Sequence, residues 1–137
     1  MTRQKFVSRH LYPNYVKKAA EFYDSMEYNL QKQNWDACVS SAVHTAISIV
    51  DAMAVQQLGR KSSAQSHAEA YFLLNDVKTS DENRKSNLKN DLMDLINLKT
   101  PAEYEEKLMS KADTERAVNK CKKVYSFILD EIKKGEV

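Results

Sequence analysis

Arg60 and His67 are the two residues of this sequence whose types and spacing could carry out chemistry. Arg60 follows Gly59, a predicted helix end, and His67 lies about one turn into the helix predicted to follow. An arginine fork binds phosphate through paired hydrogen bonds, and a histidine beside a phosphodiester can act as a general base or acid near neutral pH. The pair therefore indicates phosphodiester chemistry. The same residues are also compatible with a solvated loop charge and a partly buried capping residue.

The residues that follow Arg60 strengthen the case for an anion site. Lys61 adds a point charge, and Ser62 or Ser63 is the expected N-cap of the next helix. A helix N-terminus offers free N–H donors and a partial positive charge, which both favour anions. The spacing of Arg60 and His67 is weak evidence by itself, because Arg3 and His10 have the same spacing without any such context.

A stripe of polar side chains interrupts the apolar helix that precedes this turn. Its members are three or four positions apart and so share one helix face: Ser41, His44, Ser48 and Asp51. A buried carboxylate needs a partner, because an unpaired buried charge is costly. We therefore expect Asp51 to orient Arg60 or His67, with His44 and Ser48 in support. Alternatively, the serines bond to backbone carbonyls, the histidine is simply buried, and the aspartate faces solvent or a lysine.

Lys99 and Tyr104 form a second candidate pair, in an irregular stretch predicted at residues 99–110. A lysine and a tyrosine can line a nucleotide site through charge and base stacking. The tyrosine is equally compatible with a role as a loop anchor.

Other kinds of site find little support in the sequence. Two cysteines and three histidines are too few for a zinc site, and we find no Gly-rich phosphate loop and no nucleophile elbow. We therefore expect no metal and no cofactor, with Cys38 and Cys121 as buried free thiols. A net charge of +2 is too mild to indicate nucleic acid by itself, so any phosphate site must be local.

Helices must position these residues, because 137 residues with only 2 Gly and 2 Pro contain too few turn formers for a β-rich chain. We predict one all-α domain over residues 1–137, without strands, as a five-helix bundle built on a long antiparallel helix pair. An N-terminal arm of residues 1–11 precedes helices at about residues 13–32, 35–58, 63–77, 81–98 and 111–134.

The chain contains no uninterrupted apolar run of the roughly 18 residues that a membrane span needs. The N-terminal residues also lack the apolar core of a signal peptide. We therefore expect a cytoplasmic protein without membrane contact.

The order and spacing of these motifs resemble the HEPN domain family (higher eukaryotes and prokaryotes nucleotide-binding), in particular a bacterial HEPN-like subgroup. The resemblance covers about residues 12–130, and it is carried by the helix pair, the run AVHTAISIVDAMAVQQLGRKSSAQSHAEAYFLL and the tail LINLKTPAEYEEKLMSKADTERAVNKC. It implies an all-α bundle that homodimerises. It further implies that Arg60 and His67 form the Arg-x6-His motif of a metal-independent endoribonuclease, with the two motifs of a dimer meeting in one composite cleft.

The resemblance also implies the role of each residue: His67 helps to activate the RNA 2′-hydroxyl, and Arg60 holds the scissile phosphate. Lys61 departs from the family pattern, because active ribonucleases often carry a neutral polar residue after the arginine. Family members without activity bind RNA or nucleotide, or act as partners of nucleotidyltransferases.

Three functions remain open from the sequence. The first is a ribonuclease of toxin or phage-defence type, for which an antitoxin would be the protein partner. The second is a non-catalytic interaction module that binds nucleotide, RNA or a nucleotidyltransferase-type protein. The third is a structural helical dimer without a ligand. The basic turn beside a stripe that bears an aspartate favours the first two.

Overall fold

Two long antiparallel helices form the centre of the computed structural model, which describes residues 4–63 and 68–136. They are α1 (Tyr12–Lys32) and α2 (Trp35–Leu58), as predicted. Gln33 ends α1 in the left-handed conformation, with φ of 63°, and Asn34 leads directly into α2. Because the connection between them is so short, the two helices must pack antiparallel as a helical hairpin.

The α2 helix is the core of the bundle. It is buried along most of its length from Cys38 to Val55, and α1 and α6 (Lys111–Lys134) make its most extensive helix contacts. Burial of so much apolar surface is the main stabilising term of the fold. The polar stripe therefore lies on a helix that cannot move without disturbing the core.

By length and composition, α2 also qualifies as a membrane span, with a mean hydropathy of 1.5 over its most apolar window. The expectation that no apolar stretch of the chain approaches a membrane span is therefore corrected. In the structure, 83% of that window is buried inside the protein. A core helix covered by its neighbours gives the same pattern, and we interpret α2 in that way.

Three shorter helices complete the bundle: α3 (Glu69–Asp76), α4 (Glu82–Asn97) and α5 (Lys99–Tyr104). The bounds of α4 match the prediction closely, because Asp81 caps its first turn by accepting the N–H of Arg84. A capping box starts α6, since Ser110 and Asp113 each accept the other's backbone N–H.

Two helix predictions need correction. In the described part of the chain, α3 begins at Glu69 rather than Ser63, and neither Ser62 nor Ser63 acts as its N-cap. Ser62 is extended because its N–H and hydroxyl already bind Asp51. The stretch 99–110, predicted to be irregular, begins with α5, in which an ion pair of 3.5 Å joins Lys99 to Glu103 one turn later.

The prediction of a chain without strands is wrong in one detail, although the all-α fold class is confirmed. The arm contributes β1 (Gln4–Phe6), which pairs antiparallel with β2 (Arg60–Ser62). The N–H of Val7 donates to the carbonyl of Gly59 at 2.9 Å, which extends the contact by one more bond. The described part of the arm is therefore docked on the C-terminal end of α2.

Gly59 allows this docking, and we expect Gly59→Ala to lower the free energy of unfolding by about 1–2 kcal/mol. Gly59 has φ of +66°, and a Cβ there would lie 3.3 Å from the carbonyl oxygen of Val7. Urea unfolding would measure the loss. Gly135→Ala is the control, since Gly135 has helical φ of −74° and its added Cβ would meet only the movable end of the Gln56 side chain. An equal loss in both variants would contradict the argument.

Candidate functional site

A buried carboxylate anchors the turn that carries Arg60 and Lys61. Oδ1 of Asp51 accepts the backbone N–H of Ser62 at 2.8 Å. The Ser62 hydroxyl lies 2.8 Å from Oδ1 and 3.0 Å from Oδ2 of the same carboxylate. Asp51 is 7% exposed and Ser62 only 3% exposed. Because hydrogen bonds to a charged group are stronger than neutral ones, this pair holds β2 firmly against α2.

The anchor differs from the expectation that Asp51 would orient Arg60 or His67. Within the described residues, the hydrogen-bond partner of Asp51 is Ser62, so the carboxylate acts on Arg60 through the backbone of β2. His67 lies outside the described residues, as do its neighbours 64–66, and its relation to Arg60 stays a prediction.

Burial raises the pKa of the Asp51 carboxyl to about 6. The hydrogen bonds from Ser62 and the positive charge of Lys61 oppose that rise, but they do not cancel it. Loss of solvation is therefore the dominant effect on this group. Asp51 therefore anchors β2 from below, and its carboxyl has a pKa of about 6.

The two cations of the turn differ in their surroundings. Nη2 of Arg60 lies 3.8 Å from Oδ2 of Asp76, at the end of α3, and 31% of the Arg60 side chain is exposed. That distance exceeds a normal N–H···O hydrogen bond, so the ion pair is loose. Nζ of Lys61 donates to the carbonyl of Ser62 at 2.8 Å. Asp76 was not identified from the sequence, because no regular spacing connects it with Arg60.

Ser63, the last described residue before the gap, is buried and 7% exposed. Its Oγ has no hydrogen-bond partner among the described residues. The role of this hydroxyl in binding stays a prediction.

Three other predicted residues meet where α5 packs on α2: His44, Lys99 and Tyr104. Glu103 joins the first two, with Oε2 at 3.4 Å from Nε2 of His44 and Oε1 at 3.5 Å from Nζ of Lys99. The Lys99 ammonium also lies 5.1 Å from the centre of the Tyr104 ring, within the range of a cation–π contact. Tyr104 is 73% exposed, so much of its ring is open to solvent and accessible to a ligand.

Phe22 of α1 extends this second group. Its ring stacks on His44 with centroids 5.2 Å apart and an interplanar angle of 26°. Sequence reasoning missed two members of the group. Phe22 lies on α1, where the sequence indicated no site residue, and Glu103 lay in the stretch predicted to be irregular. The Lys99–Glu103 spacing of four residues was the available signal for a helical ion pair.

The polar stripe of α2 runs between the Arg60 turn and the group of side chains around Glu103. His44 and Asp51 are separated by about 10 Å along the helix, at 1.5 Å per residue, and half-buried Ser48 lies between them. Further along, Oγ of Ser41 lies 2.9 Å from Oγ of Ser25 on α1. The described residues thus offer guanidinium and ammonium groups at one end of the stripe, and an imidazole and aromatic rings at the other.

The two cysteines lie apart from this arrangement. Cys38 and Cys121 are buried free thiols, as predicted, and burial raises their pKa values to about 11 and about 12. Across residues 4–63 and 68–136, no three His, Cys, Asp or Glu side chains are grouped in a way that could hold a metal ion.

The raised pKa of Asp51 predicts a distinctive dependence of stability on pH. Because the folded-state pKa of about 6 lies above the ordinary value of 3.8, the folded protein binds the extra proton between those two pH values. The free energy of unfolding should therefore fall as pH rises through this window, by on the order of 3 kcal/mol from this group. Asp51→Asn should abolish that component.

Urea unfolding on both sides of the window would measure this effect, as the difference between variant and parent. Asp130→Asn, on an exposed position of α6, is the control and should keep the pH dependence of the parent. A parent-like fall in the Asp51→Asn protein would contradict the assignment.

We compared the chain with protein-family models, curated proteins and solved structures. The family model of the HEPN domain matches residues 12–132, from α1 into the last turns of α6. Neither the curated proteins nor the solved structures gave a match. The family match spans nearly the whole chain and includes the stripe, the basic turn and α5. The resemblance to the HEPN domain family at large is therefore confirmed, and the chain belongs to that family.

Proposed function

We propose that this HEPN domain is a metal-independent endoribonuclease that cleaves RNA at the Arg60 turn. The observation that carries the proposal is the hydrogen bonding of Ser62 to buried Asp51. It holds Arg60 and Lys61 on a rigid base, and rigid placement of cationic groups is what stabilisation of a phosphorane-like transition state requires. The match to the HEPN family supports the same conclusion, since many of its members are ribonucleases.

In the proposed reaction, the 2′-hydroxyl of RNA attacks the adjacent phosphorus. His67 accepts the proton of that hydroxyl, the bond from phosphorus to the 5′-oxygen breaks, and the leaving oxygen takes up a proton. The products are a 2′,3′-cyclic phosphate and a free 5′-hydroxyl. Arg60 binds the non-bridging oxygens, on which negative charge grows in the transition state. Lys61 adds attraction for the polyanion.

The proposal includes a homodimer in which two such turns line one cleft, and a biological role of toxin or phage-defence type. Exposed rings on the described surface are compatible with an interface, including Tyr28 at 58% exposed and Phe72 at 54% exposed. Tyr12, at the start of α1, is less available, because it is half-buried and donates its hydroxyl to Glu136 at 2.6 Å.

A non-catalytic module that binds RNA or nucleotide through the same turn is the second candidate. Two observations favour it. Lys61 stands where the resemblance leads us to expect a neutral polar residue, and Arg60 is already paired with Asp76. The two candidates share a binding surface, so only a measurement of cleavage separates them.

The proposed reaction predicts cleavage of mixed RNA that persists in EDTA and leaves cyclic phosphate ends. Arg60→Ala should slow cleavage by on the order of 10²–10³-fold, and His67→Ala by roughly 10²–10⁴-fold. The two losses should not add, because both groups serve one step. Arg60→Lys should not restore the rate, because an ammonium lacks the planar fork. Single-turnover assays on labelled RNA would give these rates.

Two control variants are available for this assay. Arg116 is an exposed arginine paired with Asp113 at 2.6 Å, and His10 is an exposed histidine. Arg116→Ala and His10→Ala should cut at the parental rate. Loss of cleavage in EDTA, or parental rates in both Arg60→Ala and His67→Ala, would refute the ribonuclease proposal. RNA binding that needs Arg60, in a protein that never cuts, would favour the second candidate.

The loose Arg60–Asp76 pair predicts that Asp76→Asn strengthens RNA binding. A phosphate must compete with the Asp76 carboxylate for the guanidinium, and removal of an exposed ion pair is worth at most about 1 kcal/mol. We expect up to about a 5-fold gain in affinity at low salt, measured by fluorescence anisotropy. Asp94→Asn, which removes a carboxylate paired with Lys120 elsewhere, is the matched control. Weaker binding by Asp76→Asn would show that Asp76 supports the site instead.

A further inference from the structure

The β1 strand brings an aromatic ring and another lysine to the Arg60 turn. In the antiparallel register, Phe6 lies opposite Arg60 and Lys5 lies opposite Lys61. Directly opposite residues on paired strands have Cβ atoms about 4.5–5.5 Å apart and project to the same face. The side chains of Phe6 and Arg60 therefore share one face of the two-stranded ribbon. Those of Lys5 and Lys61 are paired on its other face, because successive side chains of a strand alternate.

Phe6 is 87% exposed, more than any other large hydrophobic residue in the described part of the chain. A side chain of this size is usually buried, so an exposed one on an ordered strand needs an explanation. The ring is exposed although its backbone is fixed. Val7 donates to the carbonyl of Gly59, and the Arg9 guanidinium donates to the carbonyl of Gln57. The arm thus presents Phe6 at a defined position.

The charges around this ring identify the ligand that suits it. Lys5, Arg60 and Lys61 lie on β1 or β2, and Arg9 follows β1 closely. Among the described residues, Asp76 is an exposed carboxylate that lies near Arg60. Asp51 is buried beneath Ser62 and shielded by its hydrogen bonds. A single flat ring among several cations matches single-stranded nucleic acid, in which an unpaired base can stack while its phosphates bind the cations.

We propose that β1 and β2 form a platform for single-stranded RNA. Phe6 stacks on one unpaired base, and Arg60 binds a phosphate on the same face of the ribbon. Lys5 and Lys61 bind further phosphates where the RNA strand passes round the ribbon to its other face. This inference rests on the proposed function and names its substrate class. In a duplex the bases stack on one another, so the ring has no base face to contact and the platform selects unpaired RNA.

The test uses a short fluorescein-labelled single-stranded oligoribonucleotide whose 2′-hydroxyls are methylated, so that it cannot be cut. Fluorescence anisotropy of the full chain gives the affinity. Phe6→Ala should weaken binding by on the order of 10-fold to 100-fold, the range expected for one base–aromatic stack. Phe6→Leu should be as weak as Phe6→Ala, because leucine is apolar but lacks a flat π face. Phe6→Tyr should bind like the parent.

Two further comparisons separate stacking from charge. Lys5→Ala should weaken binding and reduce the steepness of the plot of log affinity against log salt concentration by about 0.7, the value for one phosphate contact on a single strand. Leu108→Ala is the matched control, since Leu108 is another large hydrophobic residue that is highly exposed, at 76%, and it lies outside the turn and the proposed interface. It should leave the affinity unchanged. The same sequence as a duplex should bind more weakly and should not respond to Phe6→Ala.

Several results would overturn the platform: a parent that does not bind the single strand, parental affinity in Phe6→Ala, or equal binding by Phe6→Leu and Phe6→Tyr. A change in sedimentation of Phe6→Ala without a change in RNA affinity would assign the ring to a protein contact instead. Because the probe cannot be cut, the outcome is independent of catalysis. Binding through Phe6 without any ribonuclease activity supports the platform and refutes the enzyme, and the reverse result refutes only the platform.

Discussion

The buried pairing of Asp51 with Ser62 connects the core of this protein to its functional turn. A carboxylate held inside a packed bundle would be strongly disfavoured without donors. Ser62 supplies two donors only if the chain leaves Gly59 in an extended conformation and runs back over α2. That extended segment has a free edge, which β1 covers. The solvation requirement of a single carboxylate thus determines the left-handed residue, the strand and the docked arm.

The helices could be predicted because helical periodicity and capping are local properties of a sequence. The bounds of α2 follow from a continuous apolar pattern that ends at glycine, and the capping box of Ser110 and Asp113 spans only four positions. The small sheet has no such signal. Its strands are three residues long, and the pairing of Gln4 with Ser62 spans the entire α1–α2 hairpin. Only tertiary contact brings such segments together.

The candidate site, too, could be predicted only where its residues share one helix. The spacing of His44, Ser48 and Asp51 identified one polar face, because these residues share a helix. Their partners come from other elements. The expectation of a cationic partner for Asp51 treated charge pairing as the remedy for burial. The structure uses neutral donors, which stabilise a carboxylate without the cost of burying a second charge.

The position of Trp35 has a consequence for spectroscopy. It is the single tryptophan of the chain, and it occupies the first residue of α2, whereas Gly59 follows the last. At 1.5 Å per residue the two ends are about 35 Å apart. Intrinsic tryptophan emission therefore monitors the hairpin end of the bundle and the integrity of the core. A ligand bound at the Arg60 turn is too distant from Trp35 to quench its emission by contact. Tryptophan emission therefore reports loss of structure, and not binding, in the same sample.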